Sequence, residues 1–221
     1  MTDHTGAAEA GRGRGRPIKD GKTSTEVQSH LLDATERVLA RVGVTALSMG
    51  AVAREAGYSR GVVYRYFNNR DEVLDALIVR RATTNIAETA PRLMALGDWS
   101  EMVVESMVIV ATETTQDPLL RALADPDGTH STAASLIFGS PGLSQMLTAL
   151  YESMFSSGLA PLREGLSAGD ASRYVLSVVM SLLSGSIPGC DDADQVRRYV
   201  RTFVLPALLQ TPPPPEQVFT Q

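Results

Sequence analysis

The sequence holds one cysteine, Cys190, and three histidines among 221 residues. A single cysteine cannot form an intrachain disulfide, which fits a reducing compartment. His4, His30 and His130 lie too far apart in sequence for metal-ligand spacing, so we predict no metal and no cofactor. Cys190 has no neighbouring histidine to activate it as a nucleophile. An enzyme is therefore the disfavoured class of function.

Long apolar segments are also absent. The longest, residues 174–183, is interrupted by Ser177 and Ser181, whereas a membrane span needs about 18 consecutive apolar residues. The N-terminus is rich in glycine and arginine and has no apolar segment of a secretion signal. We expect a cytoplasmic protein without a membrane partner.

The distribution of charge says more than the net charge of -5. Residues 11–70 contain eleven basic and five acidic residues, a local charge of +6. From residue 81 onward, eight basic residues face fifteen acidic ones, a local charge of -7. A basic N-terminal part on an acidic remainder indicates that one end meets a polyanion, although solvated charged faces produce similar asymmetries.

Apolar residues recur at helical intervals through most of the chain, and no sustained strand-like alternation occurs. At the first helix, capping-box spacing allows Thr23 with Glu26 or Thr25 with Gln28. Later helix N-caps are predicted at Ser48, Ser59, Asn69, Asp98 and Ser140. The fold class is therefore all-α, with about nine helices.

Composition and helical periodicity predict the domain organisation. Residues 1–22 are predicted to be a flexible basic arm, residues 23–80 a first helical domain and residues 81–210 a second one. The tail, residues 211–221, has four consecutive prolines and is predicted to be disordered.

Two short helices, 49–56 and 60–67, have the dimensions of a helix-turn-helix. Gly57 permits the left-handed backbone that the turn between them needs. Arg60 and Arg65 are then free to point outward, and arginine can form a bidentate pair with guanine in the major groove. The alternative is an ordinary helical corner with surface arginines.

The segment LLDATERVLARVGVTALSMGAVAREAGYSRGVVYRYFNNRDEVLDAL resembles the DNA-binding domain of the tetracycline-repressor-like (TetR) family. The resemblance covers residues 27 to about 80. It implies that residues 23–80 form a helix-turn-helix DNA-binding domain and residues 81–210 a helical domain for effector binding and dimerisation. It also implies a homodimer on a palindromic double-stranded DNA operator, controlled by a small-molecule effector of unknown identity bound in the C-terminal domain. Two departures are Val62, where threonine is commoner, and Arg65-Tyr66, which changes the usual Tyr-x-His-Phe ending.

The resemblance also implies roles for single residues. Ser48 is expected at a phosphate, Arg65 at base edges, and Arg70 where a phosphate-binding lysine is usual. Tyr64 and Tyr66 are expected to hold phosphates or pack on sugars. The remaining expected contacts, near the start of the recognition helix, are Tyr58, Ser59, Arg60 and Gly61.

The arm contains Arg14-Gly15-Arg16-Pro17, which resembles the core of an AT-hook. In such a segment the arginines enter a narrow A·T-rich minor groove, so Arg14 and Arg16 are predicted DNA contacts. The alternative is a flexible solubilising tail.

Soft and aromatic side chains between residues 91 and 165 indicate an adaptable apolar pocket, since methionine fills irregular cavities. The candidates for ligand binding are Met94, Trp99, Met102, Glu105, His130, Phe138, Tyr151 and Phe155. Few charges occur in this region, so we expect an apolar or amphipathic effector. The alternative is that these residues only fill the core.

Two apolar stripes near the C-terminus are predicted to pair across a twofold axis as a four-helix bundle. Their residues are Val175, Val178, Val179 and Leu182, followed by Val196, Val200 and Val204. The alternative is an intramolecular core. The sequence thus predicts a ligand-responsive repressor, with an activator or an architectural DNA-binding protein as alternatives.

Overall fold

The computed structural model describes residues 23–123, 135–137, 139–157 and 162–219. In these residues the chain is helical, and its only β-type pairing is an isolated bridge between Leu162 and Leu209. None of the described helices is both long and apolar enough to cross a membrane. The helices are α1 Ser24–Val42, α2 Met49–Ala56, α3 Arg60–Tyr66, α4 Arg70–Met94, α5 Trp99–Thr112, α6 Pro118–Leu123, α7 Pro141–Ser156, α8 Ala168–Leu183, α9 Ala193–Tyr199 and α10 Leu205–Leu208.

Most helices begin where the sequence predicts a capping residue. Thr23 and Glu26 form the capping box of α1, which settles the choice between the two spacings. The side chains of Ser48, Ser59 and Asn69 each accept a hydrogen bond from the backbone N–H three residues on. Such caps satisfy donors that the first helical turn leaves unpaired, and each contributes about 1 kcal/mol.

The first hydrophobic core lies beneath α1–α3 and the first turns of α4, which together we call the head. Its largest fully buried side chains include Leu31, Leu39, Phe67, Leu74 and Leu77. The same core continues beyond the head through Leu119, Leu123, Ile137, Leu143 and Met180. We call this continuous cluster the head core.

The second core lies in the described part of the chain outside the head, which we call the body. It joins α5, α8 and the terminal helix, and it includes Met107, Val175, Val196 and Leu205. The terminal helix comprises α9, a wider π-helical turn at Val200–Val204, and α10. We call this cluster the body core.

Two elements connect head and body. The long helix α4 begins in the head core and continues along α5 and α7. Arg80 on α4 donates to the backbone oxygen of Ser29 and to the carboxylates of Asp33 and Glu36, which holds α4 against α1. Helix α6 also packs against α1. The orientation of the head is therefore fixed by contacts from α4 and α6.

The described part of the tail, residues 211–219, differs from the predicted disorder. It is not helical, as its prolines require. It lies along the terminal helix, where the Thr202 hydroxyl accepts from the Glu216 N–H at 2.9 Å and Val218 is buried. Phe219 stacks on Phe203. Two apolar residues after the prolines thus supply contacts that the proline-rich composition did not suggest.

Candidate functional site

The helix-turn-helix is built by three local features of the backbone. Ser48 caps α2, Gly57 ends it with a φ of 71°, and Ser59 caps α3. A side chain at Gly57 would be strained in this left-handed conformation, so glycine suits the turn. The corner is sealed by Val52, Ala53 and Val63, which are buried.

One face of α3 points away from the head. Arg60, Gly61, Tyr64 and Arg65 are exposed on it, whereas Val63 is fully buried beneath them. This i, i+1, i+4, i+5 spacing is one side of a helix with 3.6 residues per turn. We call these four exposed residues the reading face.

The arginines of the head fall into two groups. Arg37 and Arg41 both bind Glu55, at 2.9 Å and 3.0 Å, and they lower the pKa of its carboxyl below the usual range. In contrast, Arg54, Arg60 and Arg65 form no ion pair with any described residue. Three positive charges on α2 and α3 are therefore available for an anionic partner.

Arg60 is positioned by a glycine on the neighbouring helix. Its guanidinium lies so close to Gly50 that a Cβ at position 50 would approach Arg60 Nη2 to 2.6 Å. Any side chain at position 50 would therefore displace Arg60. Arg65 instead lies 5.8 Å from the centre of the Tyr66 ring.

The other predicted DNA contacts occupy varied environments. Ser48 and Ser59 are exposed, and their hydroxyl oxygens already serve as helix caps. Tyr66 is half-buried, and Arg70 lies 3.7 Å from Asp71. Arg14 and Arg16 lie outside the described residues.

Tyr58, another predicted DNA contact, packs its ring against α1. Its hydroxyl is buried and has no hydrogen-bond partner among the described residues. Its ring meets His30 edge to face at 5.7 Å. In this conformation the hydroxyl cannot reach a phosphate, because the ring packs into the head.

An apolar cavity of about 130 Å³ lies between α4 and the helices of the body. Its volume is similar to that of an engineered protein cavity of about 150 Å³ that accommodates benzene. The wall combines residues of α4, α6, α7 and α8 with Val110 and Thr114. The lining residues used below are Ile78, Arg81, Asn85, Leu123, Leu147 and Met180.

The polar groups of this cavity are few. Arg81 Nε donates to Asp117 Oδ2 at 2.6 Å, which raises the pKa of the guanidinium. The Asp117 side chain is only 4% exposed, and its other oxygen accepts from the N–H groups of Leu119 and Leu120. Asn85 and Thr114 add a carboxamide and a hydroxyl that bond to no described side chain or backbone group.

Those predicted ligand-binding residues that the structure describes do not line this cavity. Trp99 and Phe155 belong to the body core, and Met102 and Tyr151 pack against it. Burial there raises the pKa of Tyr151 to about 12. Met94 is exposed at the end of α4.

Glu105, another predicted ligand-binding residue, is bound by Arg197 at 2.6 Å, which lowers the pKa of the Glu105 carboxyl. His130 and Phe138 lie outside the described residues. Most of the described methionine and aromatic candidates between residues 91 and 165 therefore pack in or against the body core. They do not form the wall of this cavity.

The predicted dimer seam also requires correction. Its seven residues are between 0% and 7% exposed in the single chain: Val175, Val178, Val179, Leu182, Val196, Val200 and Val204. Side chains with so little accessible surface can contribute little to an interface with a partner subunit. These residues form the intramolecular core that the sequence left open as an alternative.

The outer sides of α8 and the terminal helix carry a different set of residues. Phe203 and Phe219 are both 47% exposed, and Tyr199 packs against each of them. The Tyr174 hydroxyl donates to the Phe203 backbone oxygen at 3.2 Å, and Ser177 is exposed one turn further along α8. We call these five residues the aromatic patch.

No group of three histidine, cysteine or acidic side chains that could hold a metal ion occurs within the described ranges.

Comparisons with known proteins place the strongest similarity in the head. A family model, bacterial regulatory proteins of the tetR family, matches residues 31–77. An uncharacterized HTH-type transcriptional regulator of Mycobacterium tuberculosis is 27% identical over 177 residues, which cover 80% of this chain and 82% of that protein. The HTH-type transcriptional regulator AcrR of Shigella flexneri is 27% identical over 109 residues, which cover 48% of this chain and 50% of that protein.

Among solved structures, the fatty acid degradation regulator FadR from Bacillus halodurans has the same fold. It superposes with a TM-score of 0.53 at 16% identity and covers 83% of this chain and 98% of its own. The matched family segment contains most of α1, both helices of the helix-turn-helix and the first turns of α4.

Proposed function

Because residues 31–77 match the family model of bacterial regulatory proteins of the tetR family, we propose that this chain represses transcription as a homodimer bound to a palindromic operator. A small molecule that binds in the cavity between α4 and the body releases the protein from the operator. In this role the protein acts in the cytoplasm. The observation that carries the proposal is the exposed reading face of α3, with its unpaired arginines.

The reading face fits a major groove because a single α-helix fills that groove. Arg65 is the proposed base-reading residue, since arginine pairs with the O6 and N7 atoms of guanine. Arg60 and Arg54 supply positive charge near the phosphates, which carry most of the sequence-independent affinity. Tyr64, also exposed, contacts the backbone or a sugar.

The effector acts through the head core. Ile78 and Leu123 both line the cavity and belong to that core, so an occupant of the cavity touches the same packing that supports α3. A ligand that fits better when the heads are misplaced for DNA shifts the population away from the bound state. A coupling of about 1–3 kcal/mol would lower operator affinity roughly 5–150-fold.

Dimerisation uses the aromatic patch rather than the buried valines. Contiguous exposed aromatic surface on a monomer is typical of an interaction site. Serine at position 177 allows the two copies of α8 to approach closely. We expect Phe203→Glu to give a monomer in sedimentation at micromolar concentration. Leu96→Glu, the same kind of change at an apolar residue that is 44% exposed and does not belong to the patch, should remain a dimer.

Selection of bound duplexes from random oligonucleotides tests DNA recognition. We expect a palindromic sequence whose half-sites are about one helical turn apart. Enrichment of no sequence would contradict operator binding and favour the architectural alternative. Reporter expression from a promoter that contains the selected site then separates repression, the simpler consequence of blocking polymerase, from activation.

A further inference from the structure

The side chains in the wall of the cavity indicate which net charge a bound ligand can carry. Among the described residues of its wall, all but Arg81, Asn85 and Thr114 are aliphatic or methionine. Arg81, the one charged residue of this described wall, is neutralised by Asp117. The polar groups at the cavity are therefore one neutralised ion pair, Arg81 with Asp117, and two uncharged side chains, Asn85 and Thr114.

A carboxylate in this cavity would meet an unfavourable balance. To take the Nε and Nη2 positions of Arg81 it would have to displace Asp117, whose side chain is 4% exposed. A buried carboxylate left without its partner is strongly destabilising. If Asp117 stayed in place, the two negative charges would lie close together in a poorly hydrated site.

A protonated amine would also bind unfavourably in this cavity. Its positive charge would face the Arg81 guanidinium. The oxygens of Asp117 cannot compensate, because they already accept from Arg81 and from the N–H groups of Leu119 and Leu120. Burial of a charge without a counterion is costly.

We propose that the cavity selects a small uncharged molecule with an apolar body and one neutral hydrogen-bonding group, such as an alcohol or an amide. The apolar body replaces water along Ile78, Leu123 and Leu147. The polar group bonds to the Asn85 carboxamide or the Thr114 hydroxyl. This inference rests on the proposed function and names the class of its effector.

Three probes of equal chain length test the proposal: 1-hexanol, hexanoate and hexylammonium. Binding to the full chain is measured by calorimetry and by protein NMR shifts at pH 7. We expect 1-hexanol to bind about tenfold or more tightly than either ion, because only the ions carry a charge into the site. Leu147→Trp, which fills the cavity, should abolish binding of 1-hexanol.

A charge variant sharpens the test. Asp117→Asn keeps a side-chain oxygen for the N–H groups of Leu119 and Leu120 but leaves Arg81 without a counterion. We expect hexanoate to gain about tenfold in affinity relative to 1-hexanol. The matched control Asp170→Asn removes the partner of Arg173, far from the cavity wall, and should leave the preference unchanged.

The outcomes separate two failures. Equal affinity of wild type for hexanoate or hexylammonium and for 1-hexanol would overturn the selectivity for neutral ligands, as would binding of none of the probes. If 1-hexanol binds in the cavity but operator affinity does not change, the selectivity stands and the effector role in the proposed function fails.

Discussion

The arginines of the head and those of the body differ in what they bind. On the outer side of the head, Arg54, Arg60 and Arg65 form no ion pair within the described residues. In the body, described ion pairs join Arg81 to Asp117, Arg92 to Glu113, Arg173 to Asp170, Arg197 to Glu105 and Arg201 to Glu101. Most described arginines of the body therefore have an acidic partner within the chain, whereas Arg54, Arg60 and Arg65 of the head are left for a partner molecule.

This difference shows that a count of charges is a poor guide to a binding surface. The head also contains Arg37 and Arg41, which raise its positive charge but are bound to Glu55. Whether an arginine has a partner therefore matters more than which half of the chain contains it.

The largest effect is expected for Arg65→Ala. Loss of a bidentate pair with guanine should cost about 1–3 kcal/mol, or roughly 5–150-fold in operator affinity, and relax specificity at one position of each half-site. Fluorescence anisotropy with the selected operator measures both effects. Arg173→Ala in the body is the matched control, and an equal loss from it would contradict the division between head and body.

A smaller effect is expected for Arg60→Ala. If Arg60 meets a phosphate, the slope of log affinity against log salt falls by about 1 for each phosphate that the variant no longer neutralises, with little change in sequence preference. Arg41→Ala, which removes an arginine already paired with Glu55, should alter the slope less. Equal slopes for the two variants would show that pairing does not govern DNA binding.

The smallest effect concerns stability and pH in the body. Glu105 and Arg197 are about a quarter and a third exposed, so solvent weakens their attraction, and Glu105→Gln should cost about 1 kcal/mol at pH 7. Because the pKa of Glu105 is lowered in the folded state, its contribution is present above the unfolded pKa of about 4.3 and disappears as pH falls through the folded pKa.

Urea denaturation between pH 3 and pH 7 measures this dependence. The curves of wild type and Glu105→Gln should converge at the acidic end. A constant gap between them at all pH values would rule out the charged pair as the cause of the difference.

Much of the head could be predicted from sequence because its determinants are local. The caps at Ser48, Ser59 and Asn69 act within three residues, and Gly57 acts on its own backbone. The ion pairs of Glu55 could not be predicted in this way, because its partners lie 14 and 18 residues away on another helix.

The cavity in the body was harder to predict because its location depends on the tertiary packing of several helices. The cavity depends on α6, whose Leu119 and Leu123 come to lie beside α4. Methionine and aromatic content could not indicate which side of a helix faces this space. Likewise, the valine stripes of α8 and the terminal helix revealed an apolar face, but an apolar stripe looks the same in a sequence whether it packs within a subunit or between two.

The continuity between the head core and the cavity wall limits how such a protein can acquire a new inducer. Substituting Ile78 or Leu123 to reshape the binding space also loosens the support of the helix-turn-helix, since both residues serve both purposes. Ile86, Val110 and Thr114 line the space without belonging to that core. Evolutionary drift in inducer preference, or a library built for a biosensor, should therefore begin at these three positions.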